Sequence, residues 1–316
     1  MILVTLEDIK NKELNQIQNI CADRQVIYSP SIDTLKEEQL GHVDILITYG
    51  DELSLENLEL LPKLKWIQLF QAGAEKLPLE AINKRNIKLT NMKTIHAIPM
   101  SEFALGVMLR HSLKLEVLRK NQEKRHWDTT ATIEELSGKQ VAIFGAGEVG
   151  SAIATKCKLM GMHVIGVNRS GRIREPFHEM ETLANRQHVI PRCDYIILTM
   201  PVTDQTKHCF STAEFTKMKQ NALFINLGRG PLVDDTALKT ALLNKTIGGA
   251  VLDVFDEEPL DPNHDLWGID RLFITPHIAA KSPHYIKRCL DIFEKQYDAF
   301  LKNKNLQFEI SLDEGY

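Results

Sequence analysis

The chain has 316 residues, 43% of them hydrophobic and 25% charged, enough to bury a sizeable core and more easily divided into two domains than held as one. A formal net charge of -4 with no long basic run argues against nucleic acid as the main partner, because phosphate binding is driven by clustered Lys and Arg. Five cysteines (Cys21, Cys157, Cys193, Cys209, Cys289), odd in number and without CxxC spacing, point to neither a disulfide framework nor a zinc cage, and a reducing cytoplasm suits them.

In chain order, MILVTLEDIKNKE lacks a basic start and its apolar run breaks at Glu7, so it reads as a first β-strand and not as a signal peptide. No apolar stretch approaches membrane-spanning length, and no membrane partner is expected. Up to about residue 97, short β-rich runs (MILVTL, VDILITYG, LKWIQLF, IKLTN) alternate with polar helical stretches such as DTLKEEQLGH and LENLELLPK, the rhythm of a parallel α/β unit. From Ile98, IPMSEFALGVMLRHSLKLEVLRKNQEKRH keeps helical spacing for several turns, which predicts one long crossing helix with Pro99 in its first turn. KQVAIFGAGEVGSAIATKCKLMGMHVIGVNRS then reads strand, glycine turn, helix, strand, and further strands follow at CDYIILTMP, ALFINLG, GAVLDVF and RLFITP. The expected fold is α/β with two Rossmann-like or flavodoxin-like domains, doubly wound parallel sheets and a cleft between them. One domain spans 1–97 and, by the closing helix HYIKRCLDIFEKQYDAFLKNK, 285–316; the other spans 98–284.

Gly145, Gly147 and Gly150 in VAIFGAGEVG match GxGxxG directly between a strand and a helix. The first glycine permits the tight turn, the second lets backbone approach a pyrophosphate and the third lets helix pack closely on strand, with the helix start at Glu148 and Val149 facing the negative charge. An acid normally follows the second strand of such a unit to bind the ribose hydroxyls and repel a 2′-phosphate; here IGVNRSGR puts Asn168, Arg169, Ser170 and Arg172 there. Asn168 removes the repulsion, the two arginines offer cations and Ser170 a donor, so NADP(H) is preferred. NAD(H) bound through Asn168, with Arg169 and Arg172 as solvated loop cations, is the alternative.

A carbonyl reductase needs a proton donor, an anchor for substrate charge and a hydride path, placed at the carboxyl ends of strands. FINLGRGPLVD puts Arg229 there between glycines, VLDVFDEEPL puts Glu258 at a turn, and FITPHIAA puts His277 just past the next strand. His188 and Cys193 have no further ligand cluster near them, and no metal is expected.

In these residues the chain resembles the D-isomer-specific 2-hydroxyacid dehydrogenase family. The likeness runs through LKWIQLFQAGAE, SEFALGVML, LSGKQVAIFGAGEVG, CDYIILTMPVTDQT, INLGRGPLVD, LDVFDEEPL and ITPHIA, in order. The resemblance implies that Arg229 holds the 2-oxo acid, that His277 is the acid/base with Glu258 as its partner, and that the amides of Ala72 and Gly73 hold the substrate carboxylate. It places Pro201, Thr206 and Asp253 on the cofactor side. Tyr49, ending the strand ITYG, or Phe70, beside the expected carboxylate turn, is read as shaping the pocket by its size. The resemblance also implies a small 2-oxo or 2-hydroxy acid substrate and a homodimer, with Trp127 a candidate contact. IGVNRS, lacking the acid, resembles the NADP-preferring glyoxylate/hydroxypyruvate reductases. The segment IAAKSPHY departs from the family, where a glycine often follows IA, and this leaves the substrate open. An NAD-linked D-lactate or phosphoglycerate type and a nucleotide-sensing corepressor are the alternatives.

Overall fold

A computed structural model describes residues 1–74 and 76–310. Glu75 of the QAGAE motif and residues 311–316 of the expected first domain lie outside the described residues. The chain divides into two compact units, Met1–Ile95 with Ser282–Tyr316, and His96–Lys281.

The first unit is built on a five-stranded sheet of β1 (Ile2–Val4), β2 (Val26–Tyr28), β3 (Ile45–Thr48), β4 (Trp66–Leu69) and β5 (Lys88–Thr90). All pairings are parallel and the order is β2-β1-β3-β4-β5, the flavodoxin-like arrangement. Side chains alternate across it. Leu3, Leu46, Ile67 and Leu69 point into one apolar cluster, Ile2, Val4, Ile45, Ile47 and Trp66 into the other. Helix Tyr285–Leu301 covers the second face, with Phe293 and Phe300 stacked on Trp66.

The second unit holds seven parallel strands: β6 (Gln140–Phe144), β7 (His163–Asn168), β8 (Glu179–Thr182), β9 (Tyr195–Leu198), β10 (Leu223–Asn226), β11 (Gly249–Leu252) and β12 (Leu272–Ile274). Their order, β12-β11-β10-β9-β6-β7-β8, reverses direction between β6 and β9, and that switch point is where open α/β sheets bind ligands. Both faces are covered. Val141 and Ile143 of β6 enter one cluster, Ala142 and Phe144 the other, so the central strands read as continuous apolar runs.

The expected long crossing helix is two helices, Ala97–Ser112 and Leu115–Glu123. Lys114 between them takes the left-handed conformation (φ +52°), with its amide bonded to the His111 carbonyl, and Arg110 pairs with Glu116 across the break. The first helix buries Ala104, Val107 and Met108 in the β6 cluster, whereas no residue of the second is buried. No helix among the described residues is long and apolar enough to cross a membrane.

Candidate active site

The glycine turn joins β6 to helix Glu148–Leu159, whose N-cap is Gly147. At Gly145 (φ +106°) an added Cβ would lie 2.8 Å from backbone atoms of Thr199 and Met200, and at Gly150 one would lie 1.9 Å from the Gly145 carbonyl oxygen. These two glycines are required by packing. A Cβ on Gly147 would meet nothing within 4 Å, so backbone is bare and open at the position where a pyrophosphate approaches the helix N-terminus. The residues present therefore fit a dinucleotide. Further along the same end of the sheet, Thr206 Oγ1 donates to the Pro201 carbonyl (2.9 Å) and accepts from the Thr203 amide (2.7 Å), closing the turn after β9.

At the end of β7, Asn168 Oδ1 accepts the amides of Ser170 (3.0 Å) and Gly171 (2.7 Å), and Ser170 Oγ accepts the Arg172 amide (3.3 Å). The Asn168 oxygen thus builds an Asx turn, which leaves its amide nitrogen as the group it offers a ligand. Arg169, Ser170 and Arg172 are exposed.

After β10, Asn226 receives the Gly228 amide (3.0 Å) on its side-chain oxygen and donates to the Arg229 carbonyl (2.9 Å). Both flanking glycines are forced. An added Cβ on Gly228 would be 2.8 Å from the Met200 carbonyl oxygen, and on Gly230 it would be 2.0 Å from the Phe255 carbonyl carbon. Arg229 Nη1 turns back to the Gly228 carbonyl at 2.9 Å.

Glu258 and His277 come from turns after β11 and β12, and their side chains meet: Oε2 lies 2.7 Å from Nδ1. Glu258 is itself fixed, its Oε1 taking the Phe255 amide at 2.9 Å. His277 is a non-glycine residue in the left-handed region (φ +51°), a conformation that persists only where the surroundings impose it. Asp253 imposes it. Its backbone carbonyl accepts the His277 amide (2.9 Å), Oδ1 accepts Thr275 Oγ1 (2.6 Å) and the Ile278 amide (2.9 Å), and Oδ2 accepts the Ala279 amide (2.9 Å). Asp253 is 2% exposed, so this carboxylate is the brace of the histidine segment.

The sequence reading missed His96, the N-cap of helix Ala97–Ser112. Burial, then the nearby charges of Arg229 and His277, push its pKa down to about 4, which places the three side chains in one electrostatic neighbourhood. Nothing in IHAIP signals it.

In the first unit, the segment after β4 is tied by its carbonyls. Tyr285 Oη donates to Phe70 O (2.7 Å), the Met92 amide to Gln71 O (3.0 Å) and Asn91 Nδ2 to Ala72 O (2.8 Å). Tyr49 gives its hydroxyl to Asp8 (2.7 Å) and its carbonyl to Gln71 Nε2. Burial and the Asp8 carboxylate hold the phenol well above its ordinary range. Among the described residues, no cluster of three or more His, Cys, Asp or Glu could hold a metal ion.

The family model described as D-isomer specific 2-hydroxyacid dehydrogenase, NAD binding domain, matches residues 105–279. A glyoxylate reductase from Thermofilum pendens is 28% identical over 295 residues, 90% of this chain and 87% of that protein. Among solved structures, a D-isomer specific 2-hydroxyacid dehydrogenase family protein from Aeromonas salmonicida is 31% identical with a TM-score of 0.87, covering 99% of each chain. The NADPH-dependent glyoxylate/hydroxypyruvate reductase from Sinorhizobium meliloti, solved with NADP and sulfate, is 26% identical with a TM-score of 0.86, over 100% of this chain and 99% of that one.

Proposed function

Because the chain belongs to the D-isomer specific 2-hydroxyacid dehydrogenase family, we propose that it reduces a small 2-oxo acid, glyoxylate or hydroxypyruvate in character, to the D-2-hydroxy acid, preferring NADP(H) to NAD(H). The observation that carries this reading is the Glu258–His277 pair at 2.7 Å on the switch-point end of the second sheet. In the tautomer that donates Nδ1–H to Glu258, Nε2 is the nitrogen left to face a substrate. A bound reduced nicotinamide supplies the hydride.

His277 Nε2 gives its proton to the carbonyl oxygen as C2 is reduced, and in the reverse direction the neutral ring takes it back. Glu258 orients the ring through the bond at Nδ1. Arg229 sets its planar guanidinium against the carbonyl and carboxylate of the substrate. Asp253 holds the histidine segment in place and would lie on the nicotinamide side of a bound cofactor. His96, uncharged at neutral pH, adds no positive charge to compete with Arg229 and His277.

We assign the second unit to the dinucleotide and the first to the substrate, whose carboxylate is taken by the amides of Ala72 and Gly73, with Tyr49 limiting its size. The carbonyls of that turn are already engaged, which supports this use of its amides. Asn168, Arg169, Ser170 and Arg172, in place of an acid, support NADP(H), and so does the NADP bound by the Sinorhizobium relative. Trp127, 92% exposed, with Leu115, Val117, Leu118 and Ile133, supports a homodimer through this face, and cysteine usage supports the cytoplasm.

The test is loss of NADPH absorbance, and separately of NADH, with glyoxylate, hydroxypyruvate, pyruvate, phenylpyruvate and 2-ketoisocaproate. NADPH-linked turnover of one acid is expected. Turnover with NADH alone would transfer the assignment to an NAD-linked dehydrogenase. Silence across the panel, with either cofactor still bound, would transfer it to a nucleotide-sensing binding protein.

A further inference from the structure

The loop from β7 to β8 carries the cations assigned to the 2′-phosphate, and its two ends are anchored differently. At its far end Phe177 is 4% exposed and lies against Gly166 of β7, where an added Cβ would come within 2.7 Å of the Phe177 ring and 2.4 Å of Met180 Sδ. The His178 amide then joins the Val164 carbonyl at 3.0 Å. At the near end stands the Asx turn of Asn168. Between them Ile173 is 68% exposed, and the Lys158–Glu175 pair (3.3 Å) is solvated and holds the loop weakly.

The middle of the loop is tied by Arg174. Its Nη1 donates to the Ala146 carbonyl at 2.7 Å, from 28 positions along the chain. Ala146 is 4% exposed and stands between Gly145 and Gly147 of the dinucleotide turn, at a place set by the close approach of Gly145 to Thr199 and Met200. The acceptor is therefore as rigid as the sheet, and a charged donor on a carbonyl is stronger than a neutral one.

We propose that Arg174 is a positioning residue for cofactor choice: it latches the loop bearing Arg169 and Arg172 onto the glycine turn, so that the pyrophosphate and ribose ends of the cofactor site keep a fixed spacing. This rests on the NADP(H) reading above. A loop held only at Asn168 and Phe177 places its cations over a wider range and binds the extra phosphate with a larger ordering cost. Arg174 acts through Arg169 and Arg172, with its Nη1 given to the turn.

The experiment is calorimetric binding of 2′,5′-ADP and of 5′-AMP to the full chain carrying R174M, R174K, R169A, or R169A with R174M. R174M is expected to weaken 2′,5′-ADP about ten-fold and 5′-AMP less than about two-fold, and R174K to recover part of the loss because an ammonium also donates to a carbonyl. Added to R169A, R174M should cost clearly less than the roughly ten-fold it costs alone, since one of the two residues it acts through is gone. Equal loss of both ligands in R174M, or loss in the double variant equal to the product of the single losses, overturns the latch. A wild-type protein that prefers 2′,5′-ADP while R174M keeps that preference also overturns the latch and leaves the NADP(H) reading standing. A wild-type protein that binds both probes alike overturns the reading, and the latch with it.

Discussion

The two units present their functional turns by opposite means. In the second, the His277 segment hangs on one buried carboxylate, Asp253, which takes three hydrogen bonds, and on Glu258, which is itself held by the Phe255 amide. In the first, the Phe70–Ala72 segment is tied at three successive carbonyls by three neutral donors, Tyr285 from the closing helix and Asn91 and Met92 from the segment after β5. Concentrated, charged support fixes the side chain to which we assign proton transfer, and its loss should be severe because a buried charge or its donors are left unpaired. Distributed neutral support holds the turn to which we assign the substrate carboxylate, and the loss of any one donor should cost less.

That contrast is broken most directly at His277. His277→Asn keeps the size of the segment and removes the titrating nitrogen, so kcat should fall by about 10²- to 10⁴-fold while NADPH binding changes little. Near-normal turnover would remove the acid/base role. Asp253→Asn comes next. Its amide would turn N–H toward one of the donors from Thr275, Ile278 or Ala279, and a kcat loss of about 10- to 100-fold through a misplaced histidine is expected. A variant within about two-fold of wild type would show that Asp253 does not position His277. For the first unit, Tyr285→Phe removes one tie out of three. It should raise KM for the 2-oxo acid by about two- to five-fold at unchanged kcat. A fall in kcat as deep as that of the Asp253 variant would erase the distinction between the two kinds of support.

Legibility in the sequence followed the same division. Central strands such as β6, β9 and β10, buried on both faces, stand out as apolar runs, whereas β2 (VIY), apolar for only three residues, and the polar β8 (EMET) sit at sheet edges and went unseen. The break at Lys114 was hidden because no glycine or proline marks it. Glycines forced by close packing, and Arg229, Glu258 and His277 at strand ends, could be read from residue type and position. The bracing could not. Asp253 binds amides whose directions exist only once Thr275–Ala279 has turned, Asn168 spends its oxygen on its own loop, and Arg174 meets Ala146 through a fold-level contact with no sequence period.

Acid should separate the two units by a smaller effect. His96 and His111, both in the second unit, are pushed down to about 4, His96 by burial and then the charges of Arg229 and His277, His111 by burial and then the charge of Lys114. The unfolded chain protonates them near their ordinary value of 6.5, so between pH 6.5 and 4 it binds protons that the folded unit does not, and stability is lost as pH falls through that window. Asp235, raised by burial and then by Asp256, works in the opposite sense near the bottom of the window and offsets part of the loss. In the first unit, Asp44 is held low by its hydrogen bonds to the N-terminal amine and Arg24, which outweigh burial. Its contribution is present above the ordinary value of 3.8 and is lost only below it. The thermal midpoint of wild type should therefore fall on going from neutral pH toward pH 4, and hydrogen exchange should show the helix Ala97–Ser112 losing protection before β1 to β5. His111→Gln removes one of the two histidines and should flatten that slope whatever its effect on the midpoint at neutral pH. An unchanged slope, or earlier opening of the first unit, would place the acid-sensitive groups elsewhere.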